Sequence, residues 1–289
     1  MKKLIINNKE YDIEKKPLIM GILNVTPDSF SDGGRFFSTE KAIKHALNMQ
    51  KQGADIIDIG GESTRPGAKK ITTEEELKRI LPVLEELTKK LDIPISIDTY
   101  KSKVAQKTLI SGASMINDIT ALRADKKLVQ IIANKNVPVC LMHMKGTPEN
   151  MQKNPEYKDV IAEIYEFLNQ RIKYAITNKI KEENIIIDPG LGFGKRTGQG
   201  IEDNLLILKK LKHFKKLNKP ILIGASRKTF IGNINDLKKT LPPSERLEGS
   251  LTAAIIAMQN GANILRVHDV AQTRRCVDFV EKLNSIDIQ

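Results

Sequence analysis

Eight apolar runs rich in β-branched residues recur along the chain, and each ends in a polar residue or a short turn rich in Gly, Ser or Asn. The runs and their endings are 18–23 with Asn24, 55–59 with Gly60-Gly61-Glu62, 95–97 with Asp98, 114–116 with Asn117, 137–142 with His143, 185–187 with Asp188, 221–223 with Gly224-Ala225-Ser226, and 264–267 with His268. Segments with helical patterning usually follow. Because strand starts recur at roughly the length of one βαβ unit, the pattern predicts parallel strands joined by helices.

The pattern predicts an α/β fold and, within that class, a (β/α)8 TIM barrel. In such a barrel all strands finish on one rim, so the polar endings converge on a single bowl that is the candidate active site. A doubly wound open sheet is the alternative fold. It would concentrate polar chemistry near one switch point rather than at nearly every strand end, which favours the barrel.

The N-terminal segment 1–16 is expected to cover the bottom of the barrel. Residues 4–6 are apolar, 11–13 alternate as Tyr-Asp-Ile, and the two segments flank Asn7-Asn8, a pattern typical of a β-hairpin. No Pro/Gly/Ser-rich linker or low-complexity tract interrupts the sequence, so residues 1–289 are expected to form one domain with a single core.

The sequence favours a reducing, cytoplasmic location. Met1-Lys2-Lys3 resembles the start of a signal peptide, but only three apolar residues follow before a polar stretch. No apolar run approaches the length of a membrane span. Cys140 in an apolar strand and Cys276 near the end of the chain do not form a disulfide framework.

The formal net charge of +12 has two interpretations. A nucleic-acid-binding protein would gather its basic residues with aromatic ones, whereas here lysines are scattered over the helical segments and aromatic residues make up only 4%, with no Trp. Solvated helix faces are therefore the favoured explanation, and a nucleic-acid partner is not expected. A positive field would still help to gather an anionic small substrate.

Two loops carry the most specific chemistry. The first, 24–34, is long and rich in Asp, Ser and Gly, and taken alone it is equally well explained as a cap for a helix starting near residues 38–40. The second, 60–67, places Arg65 among glycines and hydroxyl groups, which is the composition of an oxyanion or phosphate site. An ordinary βα turn would not need that arginine.

Seven blocks of sequence, in order, resemble the dihydropteroate synthase family of the folate pathway over nearly the whole chain. They are GILNVTPDSFSDGG, GADIIDIGGESTRPGA, ISIDTYK, GASMINDI, DPGLGFGK, GASRK and ILRVHDV. The resemblance implies a TIM barrel that joins the pyrophosphate ester of 6-hydroxymethyl-7,8-dihydropterin to p-aminobenzoate and releases pyrophosphate. It also implies a homodimer. Apolar residues of the last helices could form the interface, but packing in the core explains them equally well. They are Ala253, Ala254, Ile256, Ala257, Val277 and Val280.

A pterin presents a guanidine-like donor edge, which a buried site recognises best with carboxylates and an amide. The family resemblance places the pterin-binding role on Thr64, Asp98, Asn117, Met142, Asp188, Gly224, Lys228 and Arg266. Each polar residue alone has a simpler interpretation: Asp98 as the cap of a helix beginning near Lys101, and Asn117 or Asp188 as turn-stabilising residues. The set as a whole favours pterin binding.

The resemblance implies that pyrophosphate binds Asn24, Arg65, Arg266, Val267 and His268. Arg266 and His268 lie on one face of the last strand, because strand side chains alternate. Asn24 matches the family's Mg²⁺ position, and Mg²⁺ commonly takes few protein oxygens and completes its shell with phosphates and water. His268 alone would also be explained as a satisfied histidine at the rim.

The resemblance implies that p-aminobenzoate binds Phe30, Thr64, Pro66, Phe193, Ser226 and Thr229, with its carboxylate near the start of a short helix at 226–230. Many family members have Ser at the position of Thr229, and the threonine keeps the hydroxyl group. The catalytic role falls on Asp28, Asp32, Arg65 and Lys228. The family reaction proceeds by loss of pyrophosphate followed by attack of the neutral amine, so no strong general base is expected.

Two alternatives and one departure remain. A pterin-binding methyltransferase domain shares the barrel and the pterin residues but lacks the TPDSF, STRPG and GASRK blocks. The other alternative is a non-catalytic nucleic-acid or scaffold protein that uses the +12 charge, or a paralogue that binds without turnover. Because every catalytic position is filled, such a degenerate paralogue is disfavoured. The segment 196–204 is richer in glycine than the common form of this loop, which leaves its conformation open.

Overall fold

The structure, a computed structural model, describes residues 3–26, 34–64, 67–198, 201–234 and 239–286. Eight parallel strands form one sheet in the order β11-β12-β3-β4-β5-β6-β7-β8. Their bounds are β3 Leu18–Asn24, β4 Ile56–Gly60, β5 Ile95–Asp98, β6 Met115–Asp118, β7 Val139–Met142, β8 Ile185–Asp188, β11 Leu222–Ile223 and β12 Ile264–Val267. A parallel bridge between Ile187 and Ile221 joins the two ends of the sheet, so the predicted TIM barrel is confirmed.

Helices connect the strands and surround the barrel. They are α1 Gly34–Lys51, α2 Thr73–Leu87, α3 Ser102–Ile110, α4 Leu128–Lys135, α5 Val160–Thr177, α6 Asp203–Lys209, α7 Thr229–Gly232, α8 Leu247–Gln259 and α9 Val270–Asn284, with short 3-10 turns at Glu182–Asn184, Leu211–Leu217 and Pro243–Glu245. Asp159 shows why α5 begins where it does, because its side chain accepts from the backbone N–H groups of Ile161 and Ala162. No helix within the described ranges is long and apolar enough to cross a membrane.

Two helix starts differ from the sequence-based expectations. Helix α1 begins at Gly34, earlier than the predicted start at 38–40, and α7 begins at Thr229 rather than at Ser226. Helix α3 is preceded by Lys101 as its N-terminal cap. Asp98 therefore does not cap that helix, which removes the simpler interpretation of this carboxylate.

The alternation of strand side chains divides the core into two parts. Those facing outwards, such as Ile19 and Leu23 of β3, pack with the helices in the large cluster. Those facing inwards form a second cluster with the N-terminal hairpin: Leu4, Ile6, Tyr11, Ile13, Leu18, Met20, Ile56, Met115, Cys140, Ile186, Leu222 and Ile264. The barrel interior is thus filled at its base, which leaves the opposite rim for the site.

The predicted hairpin is confirmed as β1 Lys3–Ile6 paired antiparallel with β2 Lys9–Asp12. Asn7 and Asn8 have φ angles of 51° and 60°, as a two-residue hairpin turn requires. Near the other end of the barrel, β9 Thr197–Gly198 pairs with β10 Ile201–Glu202, so part of the glycine-rich segment forms a second short hairpin.

Candidate functional site

Charged and amide side chains from non-neighbouring strands meet inside the upper part of the barrel. Arg266 of β12 donates from Nε to Asp58 Oδ2 over 2.6 Å and from Nη2 to Asp98 Oδ2 over 2.8 Å. Asn117 of β6 donates from Nδ2 to the same Asp58 oxygen over 3.1 Å. Strands β4, β5, β6 and β12 are brought together by these bonds, which can only run through the barrel interior. The predicted convergence of Asp98, Asn117 and Arg266 is confirmed.

Asp58 is a member of this network that sequence reasoning missed. It lies in the middle of β4 and is fully buried, although its neighbours Ile57 and Ile59 are apolar core residues. A carboxylate inside an otherwise apolar strand is the sequence signal that would have identified it, because a buried charge needs a partner.

Asp188 lies on the opposite side of the pocket, at the end of β8, and is 6% exposed. Its Oδ1 accepts from the Gly190 N–H over 2.7 Å, which ties the carboxylate to the loop that follows. Arg266 and Lys228 also interact electrostatically with Asp188. The three predicted pterin-binding groups Asp98, Asn117 and Asp188 are therefore buried polar groups on one rim.

Burial perturbs the ionisation of this pocket. It raises the pKa of Asp98 to about 7 despite the attraction of Arg266, and it raises the pKa of Asp188 to about 6 despite the bond from Gly190. Burial and then repulsion from Arg266 lower the pKa of Lys228 to about 8. Burial opposes the charge of Arg266, but Asp58 and Asp98 outweigh it and raise the pKa of Arg266. Such perturbed groups in one concave site are typical of a functional centre.

Phe193 and Lys228 form one wall of the pocket. The Lys228 Nζ lies 4.0 Å from the centroid of the Phe193 ring, a cation–π contact. A Cβ on Gly192 would lie 3.2 Å from Lys228 Cδ, so glycine leaves room for the lysine stem. Met142, at the end of β7, packs with Phe193 in a small apolar cluster above the barrel.

Lys195 organises the loop that carries Phe193, and sequence reasoning assigned it no role. It is 3% exposed, and its Nζ donates to the carbonyl oxygens of Gly190 and Phe193, each over 2.9 Å. The Nζ also contacts His143 Nδ1 at 3.0 Å. Burial lowers the pKa of Lys195 to about 7 and that of His143 well below its ordinary value. The loop is thus folded around a buried amine.

The end of β12 offers a second group of donors. Ser226 Oγ and His268 Nδ1 lie 3.0 Å apart, and the Ser226 hydroxyl also accepts from the His268 backbone N–H over 3.2 Å. Burial and then repulsion from Arg266 lower the pKa of His268 to about 3, so its imidazole is neutral. Val267 lies in the outer core, so only its backbone faces the rim. At this rim His268 is therefore a neutral hydrogen-bonding group rather than a cation.

Asn24 and Asp98 border a space kept open by Gly60. A Cβ built on Gly60 would lie 3.7 Å from Asn24 Oδ1 and 3.8 Å from Asp98 Oδ2. Oxygen donors of this kind fit Mg²⁺, which is often held by one or two protein oxygens with water and substrate phosphates as its other ligands. Within the described residues, no cluster of three or more His, Cys, Asp or Glu side chains forms a dedicated metal site.

Several predicted residues have less structural support. Thr64 is half-buried in the second loop, and Thr229 is exposed at the start of α7. Gly224 directly follows β11, and a Cβ built on it would lie 3.8 Å from Arg266 Cβ. The remaining predicted residues lie outside the described residues: Asp28, Phe30, Asp32, Arg65 and Pro66.

The second loop is anchored at its base by a buried ion cluster. Lys101 Nζ lies 2.8 Å from Glu62 Oε2 and 2.7 Å from Glu76 Oε2. The Tyr100 hydroxyl donates to Glu62 Oε1 over 3.2 Å. Glu62 stands two residues before Thr64, so the cluster fixes the point from which the loop leaves the barrel.

Comparisons with known proteins agree with this geometry. The model of the family described as pterin binding enzyme matches residues 20–268. The dihydropteroate synthase of Bacillus subtilis (strain 168) is 45% identical over 270 residues, covering 93% of this chain and 90% of that protein. The structure of Xanthomonas albilineans dihydropteroate synthase with 4-aminobenzoic acid has a TM-score of 0.90 at 42% identity and covers 99% of both chains. The same enzyme in complex with 7,8-dihydropteroate has a TM-score of 0.86 at 38% identity, covering 99% of this chain and 100% of that chain.

Proposed function

The chain belongs to the dihydropteroate synthases, a family of pterin-binding enzymes, and from that membership we propose how its residues carry out the reaction. The enzyme condenses (7,8-dihydropterin-6-yl)methyl diphosphate with p-aminobenzoate to give 7,8-dihydropteroate and diphosphate. The observation that carries the proposal is the buried Asp98–Arg266–Asp58–Asn117 network, which faces Asp188 across the barrel mouth. A corrinoid-dependent methyltransferase is set aside by the 45% identity to a dihydropteroate synthase.

The pterin ring lies between Asp98 and Asp188 in this proposal. Both carboxylates accept hydrogen bonds from the donor edge of the ring, and the Asn117 amide oxygen accepts another hydrogen bond from the same edge. Lys228 donates to the acceptor edge. Binding a ligand with donors compensates the cost of holding two carboxylates in a buried pocket, since a buried charge without partners is unfavourable.

The diphosphate leaves towards the second and eighth strand ends. Arg65 and Arg266 supply positive charge, and His268 supplies hydrogen bonding as a neutral imidazole. Negative charge accumulates on the leaving group in the transition state. Donors that are already fixed in position therefore lower the activation free energy of the reaction more than they tighten binding of the substrate. Arg266 is fixed in advance by Asp58 and Asp98.

Asn24 is the residue that would hold Mg²⁺. When bound, the ion neutralises charge on the diphosphate as it leaves. The space beside Gly60 supports this assignment, because a side chain there would occupy the position between Asn24 Oδ1 and Asp98 Oδ2.

The amine of p-aminobenzoate then attacks the methylene carbon, and the proton is lost from the product amine. Its ring is held by Phe193, Thr64, Phe30 and Pro66, and its carboxylate lies near Ser226 and Thr229. Asp28 and Asp32 of the first loop stabilise the electron-poor pterin intermediate in this proposal. The fixed position of Phe193 against Lys228 supports the ring subsite.

The separation of leaving-group chemistry from recognition is tested with Arg65→Ala. We expect turnover to fall by about 10² to 10³, the scale for losing one preorganised donor, with unchanged affinity for 6-hydroxymethylpterin, which lacks the phosphates. Arg65→Lys should recover only part of the loss, since an ammonium lacks the bidentate fork. Normal turnover in Arg65→Ala, or a loss of pterin affinity as large as in Asp98→Asn, would contradict this placement of the diphosphate.

We propose a homodimer that forms through α9. Of the six residues named from the sequence, Ala253, Ala254, Ala257, Val277 and Val280 are buried in the core, so only Ile256, 39% exposed, remains available. Phe279 and Leu283 are 72% and 56% exposed and lie four residues apart on α9, and large exposed apolar groups of this kind mark interaction surfaces. Analytical ultracentrifugation should show a dimer that Phe279→Asp converts to monomer. The matched variant Ile110→Asp, at a residue 67% exposed on α3, should leave the dimer intact; a monomeric wild type would refute the proposal.

We also propose a cytoplasmic location. Cys140 and Cys276 are both free thiols, as a reducing compartment maintains. Recovery of the chain from another cell fraction would contradict it.

A further inference from the structure

Asp58 holds two different groups of the pterin pocket with one oxygen atom. Its Oδ2 accepts from Arg266 Nε over 2.6 Å and from Asn117 Nδ2 over 3.1 Å. Arg266 in turn donates to Asp98 Oδ2 over 2.8 Å. Asp58 is completely buried beneath these groups, so it supports the pocket from inside the barrel rather than lining its opening.

This contact decides which way the Asn117 amide faces. An amide has a donor end and an acceptor end, whereas a carboxylate oxygen only accepts. The NH₂ group of Asn117 must therefore face Asp58, and its Oδ1 faces away. With the amide reversed, two acceptor oxygens would oppose each other and the hydrogen bond would be lost. Among the described residues, the Asn117 amide is held through its Nδ2, which donates to Asp58. Its Oδ1 is therefore the end of the amide that can accept from a ligand.

We propose that Asp58 is a positioning residue that sets the selectivity of the pocket for a heterocycle bearing an amino group. It turns the Asn117 oxygen towards the ligand's amino-bearing edge and holds Arg266 against Asp98. The inference rests on the proposed function, because it takes a pterin as the ligand that Asn117 contacts. Asp58 is fully buried, so it acts on selectivity only through the side chains that it holds, and Asn117 is the one whose acceptor end it orients.

The test compares two ligands, 6-hydroxymethylpterin and its analogue without the 2-amino group, by calorimetric titration. The wild-type chain should prefer the amino-bearing ligand by about 10² or more, because a site built to accept a hydrogen bond rejects a ligand that lacks the donor. In Asp58→Asn the amide at 117 can reverse, and we expect that preference to fall at least about fivefold. If Asp58 had a purely structural role, Asp58→Asn would weaken the binding of both ligands equally and leave the preference unchanged. That result would overturn the proposal.

A double-mutant cycle shows whether Asp58 acts through Asn117. Asn117→Ala alone should lower the preference, and adding Asp58→Asn to it should change the preference by less than about twofold. Additive effects, or an Asn117→Ala variant with the wild-type preference, would overturn the proposal even if Asp58→Asn alone fails to fold. Failure of the wild type to bind the pterin at all would instead refute the proposed function.

Ser96 provides the matched control. It is paired with Asp58 in the register of β4 and β5, it is fully buried, and its Oγ has no hydrogen-bond partner within the described parts of the chain. Ser96→Ala therefore removes a polar atom at the same depth of the barrel without touching the network. It should keep the wild-type preference; a loss equal to that of Asp58→Asn would show that any change at this depth alters selectivity and would overturn the proposal.

Discussion

Pterin binding should depend steeply on pH, because the two carboxylates proposed to accept hydrogen bonds from the ring are buried and therefore difficult to ionise. The pKa of Asp98 is raised to about 7 and that of Asp188 to about 6, in both cases chiefly by burial. An ionised carboxylate accepts through both oxygens, whereas protonation turns one of them into a donor that opposes the donor edge of the ring. Lowering the pH from 8 to 5 therefore protonates the groups that bind the ligand and should weaken binding.

The expected size of the loss follows from these two values. At pH 5 a carboxyl group with a pKa of about 7 is about 1% ionised, and one with a pKa of about 6 is about 10% ionised. If both ionised forms are required, the affinity at pH 5 is lower than at pH 8 by up to about 10³. At pH 6 binding should release about 1.4 protons, roughly 0.9 from Asp98 and 0.5 from Asp188. Above pH 8 the affinity should fall again as Lys228, with a pKa of about 8, loses its proton.

Calorimetric titration of 6-hydroxymethylpterin in buffers of different ionisation enthalpy measures both the affinity and the proton release, after correction for the ligand's own titration. Asp98→Asn removes one of the two groups, so the drop between pH 8 and pH 5 should shrink to about tenfold. Asp159→Asn is the control. Residue 159 lies outside the pocket at the start of α5, and Asn caps a helix as well as Asp does. An affinity that is independent of pH between 5 and 8, or an unchanged profile in Asp98→Asn, would refute the reasoning.

Three further predictions concern the site and its loops. Asp188→Asn should weaken pterin binding by about 1.5 to 3 kcal/mol with the fold retained, because an amide offers the donor edge a mismatched partner; unchanged affinity in titration would remove Asp188 from the site. Equilibrium dialysis should show tight p-aminobenzoate binding only with diphosphate and Mg²⁺ present, since the residues proposed for the ring belong to the same two loops as Asn24 and Arg65, which are proposed for the metal and the diphosphate; equal binding without diphosphate and Mg²⁺ would contradict this coupling. Gly190→Ala should cost several kcal/mol in denaturant unfolding, because its Cβ would lie 1.9 Å from the His143 carbonyl oxygen at a φ of +74°. Gly67→Ala is the comparison, because Gly67 has a φ of +77° but no atom within 4 Å of its added Cβ, and it should cost only about 1 kcal/mol. Equal losses of stability in the two variants would show that the positive φ, and not the steric contact, sets the cost.

The strand ends could be predicted from the sequence because periodicity and turn residues are local signals. All eight apolar runs correspond to barrel strands, and the alternation of side chains correctly placed Arg266 inside the barrel. One boundary shifted at a position where a side-chain oxygen of the neighbouring strand accepts a hydrogen bond from a backbone N–H of the sheet. Asp55 was expected at the start of the second strand, but its carboxylate accepts from the Ile19 N–H over 2.8 Å and β4 starts at Ile56.

Contacts between distant parts of the chain could not be predicted in this way. Asp58 and Arg266 are 208 residues apart, and the pairing became visible only when the barrel brought their strands together. Lys195 stands in a motif that was recognised, yet its partners are backbone carbonyl oxygens of its own loop, which no residue type reveals. Val267 was predicted to bind diphosphate, and because its side chain is in the outer core, only its backbone is available for that role.

The sequence also left the role of the last helices open between interface and core. The structure places Ala253, Ala254 and Ala257 of α8 in the core, because that helix packs its small side chains against the barrel. The exposed apolar residues of α9 lie on a different face from the buried Val277 and Val280. A hydrophobic pattern on a barrel helix therefore indicates burial, and only the structure shows which apolar residues remain outside.

The most direct test of the central claim is a turnover measurement with (7,8-dihydropterin-6-yl)methyl diphosphate, p-aminobenzoate and Mg²⁺. Chromatographic detection of 7,8-dihydropteroate and an enzymatic assay for diphosphate should show the two products forming in equal amounts. Omitting p-aminobenzoate should abolish dihydropteroate formation, and chelating the Mg²⁺ should slow turnover strongly. Failure to form dihydropteroate with all components present, or diphosphate release with no dihydropteroate, would contradict the assignment of this barrel as a working dihydropteroate synthase.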